Sequence, residues 1–304
     1  MKNVNQPSHH AGGSKLSPPA LSALAPGLYV VATPIGNSRD ITLRALDLLA
    51  AADIVACEDT RTTGKLLFLH GISAPLTAYH DHNAQRVRPA LLARLQRGEA
   101  VVLVSDAGTP LISDPGYRLV VEAQAAGIPV TTAPGPSAPL AALTISGLPT
   151  DRFFFAGFLP PKRAARRRAL ERLALIDGAL LLFESTRRLA AALADMAEVL
   201  GPREAVVARE LTKLHEEIRR APLDALAAHY DSAGAPKGEI VIVIAPPDAD
   251  ADQLDDGAVD GLLREALATD RLRDAAARVA LATGLPRRRL YHRALELSRE
   301  ERET

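Results

Sequence analysis

The sequence predicts an α/β protein of two α/β units followed by a helical C-terminal segment. Two observations carry this prediction. From residue 27 to residue 245, short apolar runs of strand length alternate with helix-length runs, joined by brief connections. That alternation is the mark of a mostly parallel sheet covered by helices. From residue 259 to residue 299 the pattern is helical throughout.

In the first unit, GLYVVAT (27–33) reads as a buried strand, and PIGN (34–37) as a turn. Asp40 is placed to cap a helix with apolar positions Leu43, Leu46, Leu49 and Ala50. A strand over 53–57, a helix over 60–69, a short strand at 75–78 and a helix over 84–97 follow. Then come a strand over 99–104, a helix over 116–126 and a strand over 128–132. The second unit has strands at 153–157, 179–183, 204–208 and 239–245. Helices are expected over 164–176 and 187–200, with a strand at 214–220 and a helix at 223–229 between the last two strands. The predicted division is a leader over 1–25, units over 26–134 and 135–247, an acidic, turn-rich linker after Pro246, and a helical tail over 257–304.

Composition narrows the function. Lysine plus arginine and aspartate plus glutamate both number 36, so net charge favours no polyanionic partner and only local patches can. No apolar run reaches the roughly 18 residues of a membrane span. The single cysteine, Cys57, excludes an internal disulfide framework and fits a reducing, cytoplasmic compartment. The leader mixes Pro, Gly, Ser and Asn without a basic start and apolar core, so it reads as a disordered tail rather than a signal peptide, with His9 and His10 incidental. No G-x-G-x-x-G follows a strand, Gly64-Lys65 lacks the upstream glycine of a P-loop, and no G-x-S-x-G or H-E-x-x-H occurs. His80-Asp81-His82 lacks a third metal ligand at sensible spacing.

Three stiff polar turns leave strand ends: TPIGN (33–37), SDAGTPLISDP (105–115) and APGPS (133–137). Parallel sheets bind ligands at the carboxyl ends of their strands. Prolines and glycines there make close-approach backbones that present N–H and C=O groups. Asp106 and Asp114 in such a loop suit a ligand with hydroxyls or positive charge; a phosphate calls for basic groups or a free helix N-terminus.

The runs LYVVATPIGNSRDITLRALDLLAAADIVACEDTRTTGKLL, VSDAGTPLISDPG, APGPSAPLAALTISGLP, FFFAGFLP, FESTRRL, ARELTKLHEE and GEIVIVI together resemble the tetrapyrrole methylase superfamily, and within it the members that act on small-subunit ribosomal RNA. The resemblance spans about residues 27–245, and the C-terminal helices resemble the small helix-turn-helix segment that ends many members. It implies two α/β domains with a cleft for S-adenosyl-L-methionine between them, no metal, and a homodimer. It also implies methylation of the ribose 2′-hydroxyl of a cytidine in the decoding region of 16S ribosomal RNA. The alternative within the superfamily is carbon methylation of a tetrapyrrole.

Carried over residue by residue, the resemblance places the cofactor on Pro34, on Asp106, Ala107, Gly108, Thr109 and Pro110, and on Ser113 and Asp114. Ser137, Ala138, Phe183 and Ala208 close the far side. A protonated ribose hydroxyl is a poor nucleophile and needs a base or a field that stabilises the alkoxide. Glu58 or Asp59 can take its proton, while Glu58 and Arg61 read equally as a salt bridge shaping the loop. Lys213, Glu216 and Glu217 are further catalytic candidates, and His80 a weaker one. For RNA, the helix carrying Lys162, Arg163, Arg166, Arg167, Arg168 and Arg172 against Glu171 alone reads as a phosphate-contacting face. A second basic patch, Arg287-Arg288-Arg289, opens the last helix. Phe153, Phe154 and Phe155 read as base-stacking or core residues.

Overall fold

A computed structural model describes residues 24–247, 256–283 and 287–303. Strands β1 (Gly27–Val31), β2 (Ile54–Cys57), β3 (Leu76–Ala78), β4 (Ala100–Leu103) and β5 (Val130–Ala133) form one fully parallel sheet in the order β3-β2-β4-β1-β5. Its central strands are apolar at every position because both faces are covered. Val55, Val102 and Val104 pack under helices α1 (Leu43–Ala51) and α2 (Thr60–Leu69). Ile54, Val101 and Leu103 pack under α3 (Ala84–Gln96) and α4 (Tyr117–Ala125). The period of two in a strand divides these residues between the faces.

Helix α1 is capped differently from expectation. Asn37 caps a single 3-10 turn over Ser38–Asp40, and the Thr42 hydroxyl accepts from the Ala45 amide at 3.1 Å. Ile41 is extended and buried between them, which leaves Asp40 outside the helix it was expected to cap. The expected leader over 1–25 lies outside the described residues up to 23. Leu24 packs against the core beneath α1, and the Tyr29 hydroxyl donates to the Ala25 carbonyl at 2.8 Å.

Strands β6 (Phe153–Phe158), β7 (Ala179–Glu184), β8 (Glu204–Arg209), β9 (Glu217–Pro222) and β10 (Ile240–Ile244) form a second sheet in the order β6-β7-β10-β8-β9. Only β6 and β7 pair in parallel; the other neighbours are antiparallel. Helices α6 (Arg163–Leu173), α7 (Leu189–Leu200) and α8 (Leu223–Ala233) cover one face. The other face takes α5 (Ala138–Ser146), a helix the sequence pattern does not single out. Its residues are apolar almost all round, so no amphipathic period marks it.

Ile35 and Leu211 join the cluster under α5, so the turn after β1 is built into the second sheet's packing. The Asn37 amide donates to the Thr212 hydroxyl at 3.0 Å across this junction. A Cβ at Gly36 would stand 2.6 Å from that hydroxyl and 2.9 Å from the Leu211 carbonyl oxygen, so the close approach requires glycine.

Helix α6 corrects the reading of its arginines. Beyond its own Glu171, the acids that pair with its arginines come from α7. Arg166 is buried and donates from Nε to Asp195 at 2.7 Å, Arg163 reaches Asp195 at 3.0 Å and Glu198 at 3.2 Å, and Arg167 pairs with Glu198. Arg166 is therefore a core ion pair and not a phosphate contact. Lys162, Arg168 and Arg172 remain exposed, with no ion pair among the described residues.

After the linker, of which residues 248–255 lie outside the described set, α9 (Asp256–Leu267), α10 (Leu272–Thr283) and α11 (Arg287–Glu303) bury a core of their own, with Leu263, Ala276, Leu290 and Leu297 at its centre. Arg293 clamps Asp260 at 2.6 Å across it. The turn at 284–286 and the side chains of Arg287, Arg288 and Arg289 lie outside the described residues. Among those residues no helix is long and apolar enough to cross a membrane.

Two stability measurements follow from this packing. Gly36→Ala forces the junction apart and is expected to cost about 1–3 kcal/mol, as overpacking does, read as a lower thermal midpoint. Asp195→Ala leaves the Arg166 guanidinium buried and unpaired and is expected to cost about 3–5 kcal/mol; an unchanged denaturation midpoint would contradict the buried pair.

Candidate functional site

The turn after β1 and the loop after β4 are held together by a two-way backbone bridge. The Thr33 amide donates to the Gly108 carbonyl at 2.9 Å, and the Gly108 amide returns to the Thr33 carbonyl at 3.0 Å. The Thr33 hydroxyl adds a bond to the Ser105 carbonyl at 3.1 Å. Gly108 stands at φ +81°, a left-handed conformation natural to glycine. Thr109 ties the same loop to the third turn, its hydroxyl donating to the Pro136 carbonyl at 3.0 Å. The three turns that the sequence placed at strand ends therefore form one connected edge.

That edge and the second sheet enclose a cleft of about 560 Å³. From the first loop Asp106, Ala107, Gly108 and Thr109 line it, with Ser113 and Asp114 beyond. Ser137 and Ala138 enter from the start of α5, and Phe183 and Ala208 from β7 and β8; Glu58 closes one end. Pro34 and Pro110 stand behind the lining as stiffeners, and Ile35 enters the cleft in place of Pro34. Residues not singled out from the sequence complete the wall: Ile112, Phe158, Glu184, Leu211, Glu239 and Val241 among them. Glu184 follows Phe183 in FESTRRL, and Glu239 follows Gly238 in GEIVIVI; both motifs carried a polar residue at a strand end that marked them.

The other catalytic candidates, Asp59, Arg61, Lys213, Glu216, Glu217 and His80, lie outside the lining. Arg61 is 86% exposed and clasps Asp59 at 2.6 Å, which holds the Asp59 carboxyl at about 2. The loop is thus shaped by Asp59 and Arg61, not by Glu58 and Arg61. Lys213 is shared between Glu210 at 2.9 Å and Glu239 at 3.0 Å, so its ammonium is engaged on the back of the wall. Glu216 accepts from the Thr212 amide at 2.7 Å, and Glu217 pairs with Arg209 at 2.9 Å; both brace the loop and its strand. His80 is half-buried near Glu58, its ring edge-on to His82 with centroids 6.0 Å apart. No group of three His, Cys, Asp or Glu side chains among the described residues is arranged to hold a metal ion.

Among the described residues the lining contains carboxylates and no basic side chain. Glu184 is neutralised by Arg188 at 2.8 Å and Glu239 by Lys213. Glu58, Asp106 and Asp114 have no such partner facing the cleft. Burial pushes the Asp114 carboxyl up to about 6, with the charges of Glu58 and Asp106 adding to it. Burial first, then Asp106 and Asp81, raises Glu58; burial and Asp59 raise Asp106, against the Asp59 amide that donates to it at 3.0 Å. Carboxylates crowded this way favour a cation between them. The backbone is strained on both walls: Leu111 and Ser113 on one loop and Glu210 and Thr212 on the other have φ between 52° and 72°. Such conformations, in residues other than glycine, persist where surrounding structure enforces them, commonly at functional sites.

Comparison with known proteins accords with this geometry. The family model of the Tetrapyrrole (Corrin/Porphyrin) Methylases matches residues 27–227, and that of the RsmI C-terminal HTH domain matches residues 246–298. The chain is 56% identical over 275 residues to ribosomal RNA small subunit methyltransferase I of Mesorhizobium japonicum, covering 90% of this chain and 93% of that one. It is 57% identical over 274 residues to the protein of the same name from Erythrobacter litoralis, covering 90% and 96%. Among solved structures, uroporphyrin-III C-methyltransferase of Thermus thermophilus, complexed with S-adenosylhomocysteine, superposes with a TM-score of 0.51 at 22% identity, over 71% of this chain and 96% of that one; this likeness carries the fold alone. By its fold, its two matching family models and relatives more than half identical along nine tenths of its length, the chain belongs to the tetrapyrrole methylase family, among the ribosomal RNA small subunit methyltransferases I.

Proposed function

We propose that this chain transfers the methyl group of S-adenosyl-L-methionine to the ribose 2′-hydroxyl of a cytidine in the decoding region of 16S ribosomal RNA, as a cytoplasmic homodimer. The observation that carries this reading is the unneutralised carboxylate set, Glu58, Asp106 and Asp114, in a cleft with no basic lining side chain among the described residues. It fits a donor with a sulfonium, an ammonium and a ribose diol but no phosphate. Ile35, Leu211, Phe183 and Val241 supply the apolar wall against which a nucleoside packs. The family relatives' names, which specify small-subunit ribosomal RNA, favour RNA over a tetrapyrrole.

The bound donor supplies an electrophilic methyl carbon on a positively charged sulfur. The chain's own contribution is mostly position. The bridged loops fix Asp106, Asp114, Ser113 and Ser137, which would hold the donor and orient an incoming ribose hydroxyl toward its methyl group; the electron pair of the broken carbon–sulfur bond would stay with sulfur. Glu58 accepts the hydroxyl proton; burial and its acidic neighbours raise its carboxyl toward the pH at which a general base works well. Lys162 at the start of α6 and Arg168 and Arg172 on it, exposed and without an ion pair among the described residues, take RNA phosphates.

The reading is tested by mapping ribose methylation on 16S ribosomal RNA from cells with and without the gene. The decoding-region cytidine is expected to lose its 2′-O-methyl group in the deletion; a mark present in both strains rejects the substrate. Glu58→Gln is expected to lower kcat by about 10²- to 10⁴-fold, with a much smaller loss of donor affinity. Asp114 is charged above about pH 6, so donor binding followed by calorimetry is expected to tighten as pH rises through that value, with protons released on binding. Asp114's contribution to the stability of the unliganded fold is expected to have the opposite slope. In that fold Asp114 binds a proton more tightly than in the unfolded chain, so this contribution rises as pH falls through about 6.

A further inference from the structure

We infer that Phe158 is the face on which the nucleobase of the target nucleotide stacks. This rests on the RNA-methylating reading above and deepens it by assigning the residue that receives the base. Four phenylalanines are exposed, Phe68, Phe153, Phe154 and Phe158, and of these four Phe158 alone is among the residues that line the cleft. Phe158 is 57% exposed and lines the cleft.

Its orientation is set by a defect in β6. The register against β7 slips between Phe155 and Gly157, and Gly157 stands at φ +64° beside the Ser113 hydroxyl. Residues three apart in a regular strand point to opposite faces. With one residue bulged out, Phe155 and Phe158 both reach Phe183, with ring centroids 5.1 Å and 5.4 Å away. A bulge beside a site is a device for re-aiming a side chain. Here it braces one edge of Phe158 on Phe183 while more than half of the residue stays open to the cleft mouth. Core packing does not account for that, because the pair Phe155 and Phe183 already fills the interior position.

The surroundings select the ligand. Phe183 stands on the wall assigned to the donor, whereas Phe158 is the more exposed of the two rings and four residues later the chain presents Lys162, exposed and without an ion pair among the described residues. An open aromatic face followed by unpaired cations is how proteins hold a single-stranded nucleotide: the ring takes the base and the cations take the flanking phosphates. A ribose hydroxyl reaches a recessed methyl donor only if its nucleotide leaves the stack, and the displaced base then needs a replacement stacking partner. Phe158 is placed to provide it.

Phe158→Trp gives a single tryptophan, whose emission can be excited apart from that of the five tyrosines, in a chain that otherwise has none. Undermethylated 16S ribosomal RNA is expected to quench its emission, and S-adenosylhomocysteine alone to leave it unchanged. Phe158→Ala and Phe158→Leu are expected to lower kcat/KM for that RNA by about 10- to 100-fold, with donor affinity unaltered and with activity restored in Phe158→Tyr. Quenching by S-adenosylhomocysteine alone would assign the ring to the donor. An emission shift that follows protein concentration without ligand would assign it to an interface between copies. Either result overturns the inference, as does a Phe158→Ala enzyme with wild-type kcat/KM. A wild-type chain that takes up no methyl donor overturns the parent reading as well, so the two failures are told apart.

Discussion

The double hydrogen bond between Thr33 and Gly108 joins two loops that leave adjacent strands of the first sheet. Everything at the cleft depends on it. It holds the loop carrying Asp106 and Asp114 against the turn carrying Ile35, and Ile35 is in turn buried in the second sheet's packing. One bridge thereby couples the carboxylates to the wall opposite them. Two backbone bonds suffice because glycine adopts the required left-handed conformation at no steric cost, and because the neighbouring prolines leave the loop few alternatives.

Carboxylates held this way repel one another, and the fold supports that cost. Of the five acidic residues lining the cleft, Glu58, Asp106 and Asp114 lack an ion pair among the described residues, two of them on the same loop, while Arg61, Arg188 and Lys213 are all directed to other acids. The strained residues Leu111, Ser113, Glu210 and Thr212 lie on the same two loops. Local strain and unneutralised charge are tolerated when the covered sheets beneath are stable enough to enforce them. The result is a site already organised for a positively charged ligand before one arrives, and that advance organisation is the main resource available to an in-line transfer.

The second sheet contributes shape and the route for a large substrate. Its bulged edge strand puts Phe158 at the mouth, and α6 continues from there with cations on its outer face and ion pairs on its inner face. The same helix thus serves two ends. Arg166 locks it to α7, while Lys162, Arg168 and Arg172 stay available to a polyanion. Arginine suits the buried role because its planar fork satisfies a carboxylate in two directions.

How much of this was legible in the residues alone varies with the physical origin of each feature. The period of apolar residues marked the strands of both sheets, and Gly, Pro and Asp at strand ends marked the bends that hold Asp106, Asp114 and Ser137, because backbone preference is local. Other features belong to the packing. No pattern in α5 distinguished a buried helix from a loop, since its residues are apolar on every side. The partners of Arg163, Arg166 and Arg167 lie some thirty residues away on α7, so the sequence of α6 alone read as an unopposed positive face. Likewise Lys213 became a brace only when the fold brought Glu239 to it. The sequence by itself determined which strands and bends exist; tertiary structure decided which charges stay free, because pairing depends on which elements meet in space and not on the residues beside them in the chain.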